Sequence, residues 1–295
     1  VPLLVISDII GRQEDFDMQE EKKKKEITAA TLKWIAVITM IIDHFGASIL
    51  EAWMTRSTLP YIPSMGFIDL LIRGVGRLAF PIFIFLMVEG LYHTRNRWKY
   101  LGRLALLAVI SEVPFDWAFW ITRFQKDNGI LIEFNHQNVF FTLSIGLLMM
   151  ILLEMVRPHS RYFALDREVA ERDGAEIAQE AWYLWALRLL ACAVIMAACM
   201  ALNEFICADY GATGIVGFIG MYWGNVFWRT NWRSFLLGLG GIICLNGFEV
   251  FALFDLIFIR RYNGQKGNSM NKWFFYFVYP VHLAIYGLIV MFYII

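Results

Sequence analysis

Charge is scarce in this sequence. Only 18% of its 295 residues are Asp, Glu, Lys or Arg, against roughly a quarter in soluble globular domains. Hydrophobic residues make up 59% and aromatics 16%, a balance that excludes a soluble domain of ordinary composition. Net charge is absent as well, because 26 Lys and Arg offset 26 Asp and Glu. The chain therefore has no bulk positive field, and no nucleic-acid partner is expected. There are four cysteines. Cys192, Cys199 and Cys244 lie in apolar runs and Cys207 lies near a helix end. With no CxxC or Cys/His spacing they indicate no metal site and read as small reduced core residues. The apolar run within residues 1–17 is short and broken by Asp8, so it does not read as a signal peptide. Met18 opens MQEEKKKKEI, which reads as a cytoplasmic start, with Val1–Asp17 upstream of it. Neither internal repeats nor a soluble domain is visible.

Long apolar runs are present instead. A spanning helix needs about 20 mostly apolar residues. The candidates are Trp34–Met54, Leu70–Tyr92, Trp98–Trp120, Val139–Val156, Trp182–Asn203, Ala212–Trp228, Ser234–Ile259 and Trp273–Ile295. The expected fold is all-α and polytopic, with eight or nine transmembrane helices. It has a cytoplasmic tail over residues 1–30 and one transmembrane domain over 31–295, embedded in the lipid bilayer. Basic clusters at helix ends set orientation. Lys22–Lys25 put the N-terminus in the cytoplasm, and the basic-rich segments Tyr92–Arg103, Arg157–Glu180 and Arg229–Arg233 then fall on the same side. Arg260, Arg261, Lys266 and Lys272 do not, if Ser234–Ile259 crosses once. Gly247, between Asn246 and Glu249, is where that run would break into two short or re-entrant helices.

Ionisable groups inside apolar runs are costly, at least about 2.5–3.5 kcal/mol each at mid-bilayer, so they need a reason. Asp43 and His44 lie some ten residues into the first run. Lys33 precedes His44 by eleven residues, three helical turns, so the two share a face about 16 Å apart along the axis. A ligand with an anionic head and a long arm, such as coenzyme A, fits that arrangement, its head at Lys33 and its reactive end at His44. The plainer alternative is a snorkelling Lys33 and a hydrogen-bonded core His44. Arg73 and Arg77 sit one turn apart, as do Glu112 and Asp116. The acidic pair would orient His44 or hold a cationic acceptor, or else pair with Arg73 or Arg77. His93, Arg95, Arg97 and Lys99 cluster at a helix end as candidate phosphate ligands. His136, Asp209 and His282 read as boundary polar groups.

The stretches LKWIAVITMIIDHFG (Leu32–Gly46), GRLAFPIFIFLMVEG (Gly76–Gly90), HTRNRWKY (His93–Tyr100), SEVPFD (Ser111–Asp116), NVFFTL (Asn138–Leu143), DYGATGI (Asp209–Ile215), YNGQKG (Tyr262–Gly267) and YPVHL (Tyr279–Leu283) occur in order along almost the whole chain. Together they resemble the TraX family, named for a conjugation protein that N-acetylates F-type pilin. That family is similar to a wider class of transmembrane acyltransferases, which includes the type 3 acyltransferases. In the first helix of type 3 members a basic residue, ten residues and a catalytic histidine follow one another, and Lys33 and His44 match that spacing. Their RxxR motif is not matched, since RGVGR (Arg73–Arg77) has three intervening residues.

The resemblance implies a bacterial cytoplasmic (inner) membrane enzyme that moves an acetyl group from acetyl-CoA to an amine or hydroxyl of a peptide, sugar or small amine. His44 would be the general base, with Asp43 or Glu112 fixing its tautomer and Asp116 beside them. Lys33, Arg73, Arg77, His93, Arg95, Arg97 and Lys99 would serve the coenzyme. The alternatives are a proton-coupled transporter and a non-catalytic assembly factor for a pilus or surface polymer.

Overall fold

The computed structural model describes residues 27–56, 63–119, 133–177, 180–268 and 272–294. The N-terminal tail with Lys22–Lys25 lies outside these. Among the described residues there are helices, turns and two isolated bridges, Ile27 with Tyr262 and Gln137 with Ala208, but no strand.

Thr28 caps α1 (Ala29–His44), its hydroxyl accepting from the Thr31 N–H. At His44 the helix widens into a π-helical stretch, Phe45–Leu50, and continues as α2 (Glu51–Arg56). The axis begins five residues before Trp34, so His44 sits just past the middle of a 28-residue run. A π-helical insertion inside a long helix is often placed at a functional site. The helices α3 (Pro63–Gly76) and α4 (Ala79–His93) form the next long run, with a turn at Arg77–Leu78. They are followed by α5 (Arg97–Phe119), α6 (Val139–Val156) and the short polar α7 (Ala164–Asp173). Two long apolar helices come next, α8 (Trp182–Phe205) and α9 (Gly211–Trp228).

Among the described residues five runs are long and apolar enough to cross a membrane: Ala29–Arg56, Ser64–His93, Val139–Val156, Trp182–Phe205 and Phe274–Ile294. The eight or nine read from the sequence exceed this for physical reasons. Arg97, Lys99, Arg103, Glu112 and Asp116 make α5 polar, while glycines, aromatics and Asn225 dilute α9.

The remaining run, Ser234–Ile259, does not cross once. It breaks at Asn246 into α10 (Asn231–Leu245), a 3-10 segment (Gly247–Phe254) and α11 (Asp255–Arg260). Arg260 lies over the Trp232 ring at 5.2 Å, so the end of α11 is back beside the start of α10. The following loop is pinned to the start of α1: Ala29 and Ala30 donate to the Gln265 and Lys266 carbonyls at 2.9 and 3.1 Å. Arg260, Arg261 and Lys266 thus lie on the face where α1 begins, which removes the conflict in the basic-residue pattern. Non-helical backbone at membrane depth is tolerated where protein buries it. The hairpin is held tightly against α9, because Gly220 and Gly238 let the two backbones approach where a Cβ would collide with main-chain atoms. The chain ends with α12 (Lys272–Ile289) and a π-helical turn, Val290–Ile294.

The core joins α1, α4, α6, α9 and α10 through Leu32, Ile84, Leu147, Phe218 and Leu239, all fully buried. Arg157 also departs from its expected role as a basic anchor at a helix end. It is buried, pairing with Glu154 at 3.1 Å and Asp166 at 2.8 Å, and so docks α7 onto the bundle.

Candidate functional site

Helical geometry puts residues 4, 7 and 11 positions apart on one face. Lys33, Val37, Met40 and His44 form such a stripe along α1, and it lines two adjoining cavities. The larger, about 450 Å³, is bounded at one end by Lys33, Arg103 and Lys266 and along its length by Phe83, Leu86, Val139, Phe275 and Tyr279. The smaller, about 190 Å³, is lined by Asp43, His44, Arg73, Arg77, Asp209, Tyr210 and Asn246. Met40, Phe83 and Val139 line both. The two cavities therefore adjoin, one lined by Lys33, Arg103 and Lys266 and the other by His44. Their walls are largely apolar between a basic end and a polar end.

Charges at the polar end are paired with one another inside the protein. Asp43 accepts from Arg73 at 2.6 Å and from Arg77 at 2.9 Å on both carboxylate oxygens. Arg77 also reaches Glu249, fully buried at the hairpin tip, at 3.2 Å. Arg73 lies 3.4 Å from Glu51. Two arginines one turn apart thus tie α1, α3 and the hairpin together. Gly76 makes this possible, since a Cβ there would collide with the Asp43 carboxylate. Tyr210 adopts a left-handed backbone, φ 70°, which is uncommon for a non-glycine residue. Its ring stacks on Phe80, with centroids 3.6 Å apart.

His44 is oriented by another histidine. Its Nδ1 lies 2.7 Å from Nε2 of His282, and Nδ1 of His282 lies 2.6 Å from the Val278 carbonyl oxygen. The ring planes are 3° apart with centroids at 5.0 Å. That separation is the hydrogen-bond length plus two ring radii, so the rings meet edge to edge in one plane rather than face to face. A carbonyl oxygen only accepts. His282 therefore donates from Nδ1 and, as a neutral ring, accepts at Nε2. His44 in turn donates from Nδ1 and carries its lone pair on Nε2.

Of the other residues singled out in the sequence, Asp43 is turned to the arginines. Glu112 accepts from the Asn138 backbone at 3.2 Å and from its side chain, and Asp116 accepts from Glu133 N–H at 2.8 Å. The acidic pair fastens the segment before α6. It lines neither cavity and pairs with neither Arg73 nor Arg77. His93, Arg95 and Lys99 are exposed, and Arg97 donates to the Leu91 carbonyl at 3.1 Å. None of these four lines either cavity. Arg103 and Lys266, and also His282 and Glu249, are the residues that sequence reasoning did not assign to a site.

A bundle of long apolar helices with an ionic cluster and a histidine pair inside defines a polytopic membrane protein. Residues 28–290 match the family model described as TraX protein, and the chain belongs to the TraX family. It is 26% identical over 277 residues, 88% of this chain and 94% of the relative, to "Probable fimbrial assembly protein FimC, serogroup H1" of Dichelobacter nodosus. No solved structure matches it.

Proposed function

We propose that this protein is an acetyl-CoA-dependent acetyltransferase of the bacterial cytoplasmic membrane. The observation that carries the reading is the pair of adjoining cavities, one lined by Lys33, Arg103 and Lys266 and the other by His44, which share Met40, Phe83 and Val139. The cations suit the phosphates of coenzyme A. The apolar section suits the pantetheine arm, whose length matches the ~16 Å rise from Lys33 to His44. The orientation of His44 suits a general base: Nε2 takes the proton of the acceptor amine or hydroxyl as the acceptor attacks the thioester carbonyl. The C–S bond then breaks, and the departing thiolate takes up a proton to leave as free coenzyme A. Asp43, Arg73, Arg77 and Glu249 hold the wall of the polar chamber. The name of the fimbrial relative favours a peptide amine on a surface-fibre subunit as acceptor.

That same name supports a second reading, an assembly factor without chemistry. Purified protein in detergent, offered acetyl-CoA and a synthetic peptide with a free N-terminus, separates the two. Peptide-dependent release of free thiol with a matching mass increase on the peptide is the expected result. Peptide binding without thiol release would leave the assembly role.

A further inference from the structure

The sequence reading gives His282 no task, yet its Nε2 lies 2.7 Å from Nδ1 of His44. His282 lies on α12 and is nearly buried. Tyr279 and Tyr286 stand edge-on to its ring at 5.7 and 5.6 Å, and Phe119 and Tyr279 stand edge-on to His44 at 5.7 and 5.6 Å. Both ring planes are therefore clamped. The helices carrying them are tied just above the pair, where the Tyr286 hydroxyl donates to the Ile41 carbonyl at 3.3 Å. A histidine base is usually held in one tautomer by whatever its second nitrogen touches. Here the usual carboxylate partner is replaced: Asp43, next in sequence, is committed to Arg73 and Arg77.

We infer that His282 is the positioning residue for His44: its Nε2, made an acceptor by the Val278 carbonyl behind it, fixes the His44 tautomer that keeps the lone pair on Nε2. This rests on the acetyltransferase reading only for its kinetic consequence; the tautomer itself does not depend on it. A neutral orienter adds no charge of its own to the chamber. A carboxylate there would add a buried negative charge needing its own partner.

The test uses the full-length protein in detergent, acetyl-CoA and a synthetic peptide with a free N-terminus. His282→Leu removes the acceptor, whereas His282→Gln retains an amide oxygen that can accept from His44 Nδ1. The expected result is a fall in kcat of about 10²-fold for the leucine variant, with KM for acetyl-CoA changed less than twofold. The glutamine variant should recover at least a tenfold part of the loss. Equal loss in both variants, or no loss in the leucine variant, would overturn the inference. Nitrogen-15 solid-state NMR of the histidine-labelled protein gives an arm free of activity. The wild type should show His44 protonated at Nδ1 and unprotonated at Nε2, with the two populations mixing in His282→Leu. A wild-type His44 protonated at Nε2 alone would sink the proposed role. If the wild type transfers nothing to the peptide but shows the expected tautomer, the acetyltransferase reading fails and the pairing stands.

Discussion

Glu249 meets Arg77 across 3.2 Å from the tip of a hairpin that returns to the face it left. The pair joins a buried carboxylate in a 3-10 segment to the turn between α3 and α4. In a low-dielectric interior each charge is tolerable only with its partner. The contact therefore makes the break at Asn246 a specified feature rather than an irregular stretch of helix. If the hairpin is re-entrant, single cysteines placed at Asn231 and Asn263 should label from the same side of the membrane as one at Asn96, and Asn246→Cys should label slowly from either side. Labelling of Asn231 and Asn263 from opposite sides would mean a full crossing.

The proposed coenzyme site gives a second prediction. Charge-assisted hydrogen bonds contribute about 1.5–3 kcal/mol each, so Lys33→Ala, Arg103→Ala and Lys266→Ala should each raise Kd for acetyl-CoA about 10–100-fold. Arg95→Ala with Arg97→Ala should leave it within about threefold, since neither residue lines the larger cavity. Isothermal titration in detergent reads both. The reverse pattern would move the phosphate site out to the loop between α4 and α5.

The α1 stripe was legible because eleven residues is nearly a whole number of helical turns, and periodicity within one helix needs no tertiary knowledge. The partner of His44 was not, because it comes from a helix 238 residues away. Nothing in YPVHL states which helix it faces; resemblance marked the stretch but gave its histidine no role. The Lys/Arg pattern flagged residues 260–272 as inconsistent with a single crossing, and the break at Gly247 was foreseen as the remedy. What sequence could not supply was that the break carries Glu249 to Arg77. The basic cluster at Arg95–Lys99 stood out because charge density is visible in sequence, while the direction of a side chain is not. Lys266, far along the chain, reaches the cavity mouth through the main-chain ties between its loop and α1.

Acid should loosen α7 first. Burial works against the charge on Asp166, but hydrogen bonds from His159, Arg157 and the Ser160 N–H outweigh it and hold the carboxyl at about 2. A carboxyl depressed below its ordinary value of 3.8 stabilises the folded state above the ordinary range. That contribution is lost as pH falls through about 2. Hydrogen exchange over Ala164–Asp173 should thus accelerate, beyond the intrinsic effect of pH, between about pH 4 and 2. Asp166→Asn should show the faster exchange already at neutral pH and lose the acid step. Unchanged exchange in the asparagine variant would mean that α7 is held by packing alone.

His44 carries the sharpest prediction. Its Nδ1 is committed to His282, so the chemistry available to it lies at Nε2, in the chamber that also holds Asp43, Arg73 and Arg77. His44→Ala should still fold, because the ion cluster tying α1 to α3 and the hairpin does not pass through this ring. On the proposed reading it should still bind acetyl-CoA, since Lys33, the proposed phosphate ligand on the same helix, lies about 16 Å away along the axis. Turnover should nevertheless fall by about 10²–10⁴-fold, the usual range for losing a positioned base. The comparison needs matched expression, a monodisperse size-exclusion profile and a binding isotherm, so that a destabilised variant is not mistaken for an inactive one. Loss of kcat with binding retained assigns the proton transfer to this residue. A well-folded His44→Ala that turns over at near wild-type rate would remove the histidine from the mechanism and reduce the His44–His282 pair to a packing contact between α1 and α12.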